Sequence, residues 1–258
     1  MEEVARRVGP SSASRMPAAV VLLLGLLLLA VPRTLHASET FLYDLRWMGI
    51  KAGEARLEFI EDGDSLRIVS RAESAKWLSV FYKVDDRVES VVARKDNPGK
   101  GADHWVALSY RLRIREGRYR RDKELVFDHE NGKVLFSDHI EKRKETYPVP
   151  EDTFDPLSGF FLLRKRPLEV GRPVDVTIFD SNKVWNVRVD ILRREEVETR
   201  AGRFRTVVVK PNMKSEGIFD RKGDIYIYLT DDERHIPVLI RTKVAVGYIE
   251  AELTGGEF

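Results

Sequence analysis

Beyond residue 38 apolar and polar residues alternate with a period of two over most of the chain, and that period predicts strands. Phe41, Tyr43, Leu45 and Trp47 fall on one face. Met48 to Gly53 then turns the chain, and Ala55, Leu57 and Phe59 resume the apolar face opposite Glu54, Arg56 and Glu58, so the pair reads as a hairpin. The clearest alternation sets Val106, Leu108, Tyr110, Leu112 and Ile114 against Trp105, Ala107, Ser109, Arg111, Arg113 and Arg115. A slip of one residue exposes all five apolar side chains, so a firm register is expected. Leu125 to Phe127 and Val134 to Phe136 flank Asn131-Gly132, a pair suited to positive φ. Val187 to Ile191, Phe204 to Val209, Ile225 to Leu229 and Pro237 to Lys243 supply further strands. Val244 to Leu253, interrupted by Gly247, reads as the last, and Gly255 and Gly256 are expected to end it.

Two segments depart from this rhythm. Ala75 to Phe81 suits one or two helical turns, with Trp77 and Phe81 on one side. Asp155 to Arg164 is the stronger helix: Asp155 caps, Pro156 takes the first helical position, and Arg164, Lys165 and Arg166 suit the C-terminal end of the dipole before Pro167. Leu157, Phe160, Phe161 and Arg164 share its inner side. Ten or more closely spaced strands with one or two short helices predict an all-β fold with minor α content: an antiparallel β-barrel or strongly curved sheet capped by the helices.

The first 37 residues have a different pattern. Arg6, Arg7 and Arg15 precede fourteen apolar residues, Ala18 to Val31, and Leu35-His36-Ala37 makes a small-residue exit. This is the layout of a secretory signal peptide cleaved after Ala37, and the run is short of the roughly 20 residues of a membrane helix. Residues 38–258 then form a single β-barrel domain. Of 44 basic and 42 acidic groups, four and two lie in the leader, leaving forty of each, so the exported part is neutral and no nucleic-acid partner is expected. Eighty charges among 221 residues also oppose a lipid-facing membrane barrel. The chain has no cysteine, which removes disulfides, lipidation after the leader and thiolate zinc sites.

Candidate chemistry is sparse. Asp231, Asp232 and Glu233 offer carboxylates, but a hairpin tip accounts for them, with Asp231 taking the turn amides. His104, His129, His139 and His235 lie in separate segments without metal-site spacing, and Ser158 has no G-x-S-x-G surroundings. No catalytic residue, metal or cofactor is therefore expected. Trp47, Trp77 and Trp185 are assigned to the core by default. Trp105 shares a strand face with the arginines, and either packs beside the helix or contacts a sugar.

One feature suggests a surface. Arg111, Arg113 and Arg115 repeat at every second position, and Arg120 continues the charge after the Glu116-Gly117 turn. On a strand this spaces guanidinium groups about 6.6 to 7 Å apart, a reach that meets successive phosphates or carboxylates. The alternative is a solvated outer face that blocks edge pairing.

Four phrases together, YDLRWMGIKAG (43–53), DPLSGFFLLR (155–164), AGRFRT (201–206) and LTDDERHIPVLIRTKVAVG (229–247), resemble the bacterial envelope family known as domain-of-unknown-function family 3108. The resemblance spans nearly all of residues 40–253 and implies an exported, periplasmic β-barrel without an established activity. It also implies kinship with barrel lipoproteins of capsule export and, more remotely, with half-barrel lipid carriers. The expectation is a non-enzymatic binding or scaffold module in surface or polysaccharide assembly, with an anionic envelope polysaccharide or lipid as partner. The alternative is a carrier enclosing a lipid or other amphipathic ligand, which requires an apolar cavity.

Overall fold

The alternating segments fold into antiparallel strands. A computed structural model describes residues 37–95, 104–212, 224–243 and 247–258; the expected leader lies outside them except for Ala37. The first half of the chain contains β1 (Ala37–Trp47), β2 (Ile50–Asp62), β3 (Ser65–Ser74), β4 (Asp85–Arg94), β5 (Trp105–Glu116), β6 (Tyr119–Asp128), β7 (Lys133–Asp138) and β8 (Arg143–Pro148). The second contains β9 (Val174–Asp180), β10 (Lys183–Thr199), β11 (Gly202–Pro211), β12 (Ile225–Thr230), β13 (Pro237–Lys243) and β14 (Tyr248–Glu257). Helix α1 (Lys76–Ser79) joins β3 to β4, and α2 (Pro156–Arg164) joins β8 to β9.

Each meander pairs consecutive strands, and β1 pairs with β14, which leaves β8 and β9 as the edges of one fourteen-stranded sheet. The sheet is not closed by strand pairing. The segment before α2 lies along the free edge of β9 instead: the Phe154 amide donates to the Thr177 carbonyl at 3.0 Å and the Phe179 amide to the Phe154 carbonyl at 2.7 Å. The opposite edge, β8, is short, charged and ends in Pro148, a composition that discourages further pairing.

The sheet wraps around α2. Asp155, at its start, reaches Ser90 of β4; Gly159 lies against Val176 and Ile178 of β9; Arg164, at its end, reaches Glu39 of β1. Ser158, Gly159, Phe161, Leu163 and Arg164 are buried, so the helix has no single inner side: it is enclosed. Phe161 joins a cluster with Phe41, Phe59 and Trp105. Leu157 and Leu162 pack against a second around Tyr110, Phe127 and Phe179. Leu163 belongs to a third with Val189, Val207 and Leu229. One helix thus contacts all three parts of the core, each fully buried apolar side chain contributing about 1.5–3 kcal/mol.

Three expectations need correction. In β5 the alternation shifts, because pairing with β4 slips between Val91 and Val92. Trp105 and Ala107 therefore turn inward while Leu108 is 37% exposed. Trp105 meets Phe161 edge-on at 5.2 Å, so of its two readings the one beside the helix holds. In β14 the glycines continue the strand: Gly256, at φ 141°, pairs with Phe41, where a Cβ would collide with the Thr40 carbonyl oxygen. Trp47 and Trp77 are exposed rather than in the core, whereas Trp185 packs against the third cluster.

Replacing Leu112 by Ala is expected to cost about 2–5 kcal/mol, and Leu108 by Ala only about 1 kcal/mol or less, because only Leu112 leaves a sealed cavity. Urea denaturation of the two variants measures the difference, and equal losses would contradict the bulge.

Candidate functional site

The outer face of β4–β6 carries the arginine row. Arg111 and Arg113 stand opposite Glu89 and Arg87 of β4, and on the other side opposite Glu124 and Asp122 of β6; Arg115 stands opposite Arg120. The three β5 guanidiniums are held unequally. Arg111 bonds Asp122 at 2.6 Å and Glu124 at 3.0 Å, and touches His139 at 2.6 Å. Arg113 is 4.0 Å from Asp122 with 54% of its side chain in water, and Arg115 is 3.6 Å from Asp85 with 64%. Exposed pairs at such distances contribute little, so both groups can exchange partners. Arg120 folds back on its own turn, donating to the Gly117 and Tyr119 carbonyls at 2.8 and 2.7 Å. Arg111, Arg113 and Arg115 thus stand on one face of β5, with Arg111 committed to the protein itself and Arg113 and Arg115 mostly in water.

Beneath this face lies Asp86, which accepts the Arg115 amide at 2.9 Å. Burial pushes its carboxyl up to about 6, outweighing that hydrogen bond, with Glu116 and Asp85 adding like charge.

The interior holds groups that sequence reasoning assigned only to capping. Asp155 is fully buried and accepts from the Leu157 and Ser158 amides at 2.9 Å each, from the Ser158 hydroxyl at 2.6 Å and from the Ser90 hydroxyl at 2.7 Å. Burial raises its pKa, opposed by those hydrogen bonds. Ser158 is thereby a capping residue: its Oγ also accepts the Asp155 amide, which completes a capping box. At the other end Arg164, 5% exposed, pairs bidentately with Glu39 at 2.9 and 3.2 Å. It also donates to the carbonyls of Arg234 and His235 at 3.0 Å each and lies over the rings of Phe59 and Phe41 at 4.7 and 5.3 Å. The only sequence signal for this role was an arginine ending the apolar run Phe160 to Leu163.

The other candidates resolve into structural roles. Asp232 accepts from the Thr230 hydroxyl and the Arg234 and His235 amides, so it, rather than Asp231, anchors the turn. Asp231 pairs with Arg194 at 2.8 Å. His235 Nδ1 lies 2.8 Å from the Arg164 carbonyl, His129 Nε2 contacts the Ala107 carbonyl, and His104 lies 3.4 Å from Asp152. Among the described residues no cluster of His, Asp and Glu has the arrangement of a metal site. A cavity of about 30 Å³ opens near the β8–β9 seam, lined by Tyr110, Arg121, Lys123, Phe136, Phe179 and Asn182. That is room for about two or three water molecules.

A family model for a protein of unknown function, DUF3108, matches residues 42–254. Among solved structures, the chain is similar to a β-barrel-like protein of the domain of unknown function DUF1849 from Brucella abortus. The match has 11% identity and a TM-score of 0.53, and covers 85% of this chain and 97% of that one. At that identity the likeness concerns the fold alone. Comparison with curated proteins returns no match. No helix among the described residues is long and apolar enough to cross a membrane.

The raised Asp86 pKa has a measurable consequence. The folded state retains a proton that the unfolded chain loses near pH 4, so stability from this group is greatest below about pH 4 and falls as pH rises to about 6. Asp86→Asn keeps an acceptor for the Arg115 amide and removes that titration. The variant is expected to gain stability over the parent in urea at pH 7 and to lose that advantage at pH 4. An unchanged difference at both values would contradict the assignment.

Proposed function

The chain belongs to the DUF3108 family of proteins of unknown function, and from that premise we propose that it is a non-enzymatic binding module of the bacterial cell envelope, exported to the periplasm. Its ligand in this reading is an anionic envelope polymer, bound on the outer face of β4–β6. One observation carries the reading: the place inside the curved sheet where a ligand would lie is taken by α2, while Arg113 and Arg115 keep more than half of their side chains in water. Binding therefore belongs on the outside. A row of guanidiniums at strand spacing fits a repeating acid, such as a uronate polysaccharide, because each group meets a carboxylate bidentately.

The groups with chemical potential in the interior support a binding role over a catalytic one. The Ser158 hydroxyl is consumed by the cap, Asp155 by four donors, and Arg164 by Glu39 and two carbonyls. Each is arranged to hold α2. The carrier alternative has less support, since α2 fills the lumen it requires.

The test is retention on immobilised alginate, a carboxylate polymer without lipid. Exchanging Arg113, Arg115 and Arg120 for Gln is expected to leave the urea midpoint nearly unchanged, because exposed substitutions usually stay within about 0.5 kcal/mol each. Retention at low salt should fall several-fold, and the difference from the parent should vanish as salt screens the charges. Equal retention of parent and variant at low salt would show that the row is only a solvated face.

A further inference from the structure

Large apolar side chains collect at one end of the sheet. In an antiparallel meander alternate turns share an end, which brings together the β1–β2 turn, the α1 segment, the β5–β6 turn and the start of β14 at Tyr248. Trp47, Met48 and Ile50 are exposed on the first of these, and Trp77, Val80 and Phe81 on the second, with Phe81 84% and Val80 77% in water. The turns adjoin one another. The Trp77 indole donates to the Lys51 carbonyl, the Met48 amide donates to the Tyr248 carbonyl, and the Tyr82 ring lies against Gly117.

Folding does not account for this surface. No residue of α1 is buried, so its apolar side chains add nothing to the core. Contiguous exposed apolar patches on proteins mark a partner or a membrane. Three properties select a bilayer surface. First, the apolar groups sit on turns at one end of the sheet, exposed to water. Second, polar groups of these turns are already satisfied: the Trp77 indole N–H by Lys51, the Gly49 carbonyl by Arg46, and the Ala75 and Leu78 carbonyls by amides of the same segment. Removing them from water therefore strands few donors or acceptors, which is the condition for entering an apolar phase. Third, residues 75–84 contain Lys76 and Lys83 and no acid, and both lysines are exposed. Tryptophan and tyrosine at headgroup depth with lysines reaching phosphates is the composition of a membrane interface.

We infer that this end of the molecule docks on an anionic phospholipid bilayer, with Trp77 and Phe81 entering the headgroup–acyl boundary and Lys76 and Lys83 meeting lipid phosphates. The inference stands on different residues from the arginine row and does not depend on it.

The absence of cysteine makes the test direct, since one introduced thiol is the only one to label. In the full chain, Phe81→Cys at the proposed surface and Asp64→Cys on the β2–β3 turn at the other end are each labelled with an environment-sensitive fluorophore. On vesicles of phosphatidylethanolamine and phosphatidylglycerol, the label at 81 is expected to shift to the blue and to be quenched by a nitroxide-bearing phospholipid, while the label at 64 remains in water. The unlabelled double variant Trp77→Ser/Phe81→Ser should lose the partitioning of this end, lowering vesicle binding by about tenfold or more. A label at 81 that stays in water on vesicle-bound protein, as when residues 18–31 alone hold the chain, would overturn the inference. So would a label at 81 already shielded without lipid, which would assign the surface to the chain's own leader or to a second copy, and so would undiminished binding of the double variant.

Discussion

Enclosing a helix within a sheet removes from water the four amide groups that a helix leaves unpaired at its start and the carbonyls at its end. For the nine residues of α2 the protein supplies partners at both ends. At the start Asp155 and Ser158 bond each other's backbone, and Ser90 ties the carboxyl to β4. At the end the Leu162 and Leu163 carbonyls accept the Lys165 and Arg166 amides and His235 Nδ1 lies 2.8 Å from the Arg164 carbonyl, while the Arg164 side chain is locked to Glu39 of β1 and to the carbonyls between β12 and β13. Breaking a buried ion pair by deleting one partner costs about 3–5 kcal/mol, since the remaining charge stays uncompensated. The quarter of the Glu39 side chain that reaches water tempers that figure here. The two clamps fix the helix against strands from both meanders, and the open seam between β8 and β9 is held by the same segment.

The consequences run outward from that helix. Phe161, Leu162 and Leu163 are shared among three apolar clusters, so the described residues of α2 are part of the core. The outside of the sheet and its ends face other molecules. One outer face presents arginines in a lattice of acids, loosest at Arg113 and Arg115. One end presents aromatic and aliphatic side chains on turns tied together through Lys51, Tyr248 and Gly117. The charged face and the apolar end adjoin at the β5–β6 turn, where Tyr82 donates to Glu116.

How much of this was legible in the sequence depends on how local each feature is. Hairpins, the alternating arginines and the Asp155-Pro156 helix start rest on neighbours a few residues apart, and all appear as the pattern predicts. The inward turn of Ala107 depends on a bulge at Leu108, the one residue between Trp105 and Arg113 left without a partner on β4, which the alternation of residues 105–116 does not record. The Arg164–Glu39 pair joins residues 125 apart, and a basic residue at a helix end has a sufficient local explanation in the dipole. The strand through Gly255 and Gly256 was missed because glycine reads as a breaker, whereas here the close approach of the Thr40 carbonyl excludes a side chain. The default placing of Trp47 and Trp77 in the core failed because residue type alone does not say which end of a hairpin is left uncovered.

Native-state hydrogen exchange of the α2 amides tests the enclosed helix most directly. If α2 is clamped at both ends, the amides of residues 160–164 open only when the whole sheet unfolds, with the same free energy and the same denaturant dependence as those of β1 and β11. Faster exchange in α2 while β1 and β11 stay protected would show that the helix leaves the interior on its own, and the lumen would then be a chamber after all.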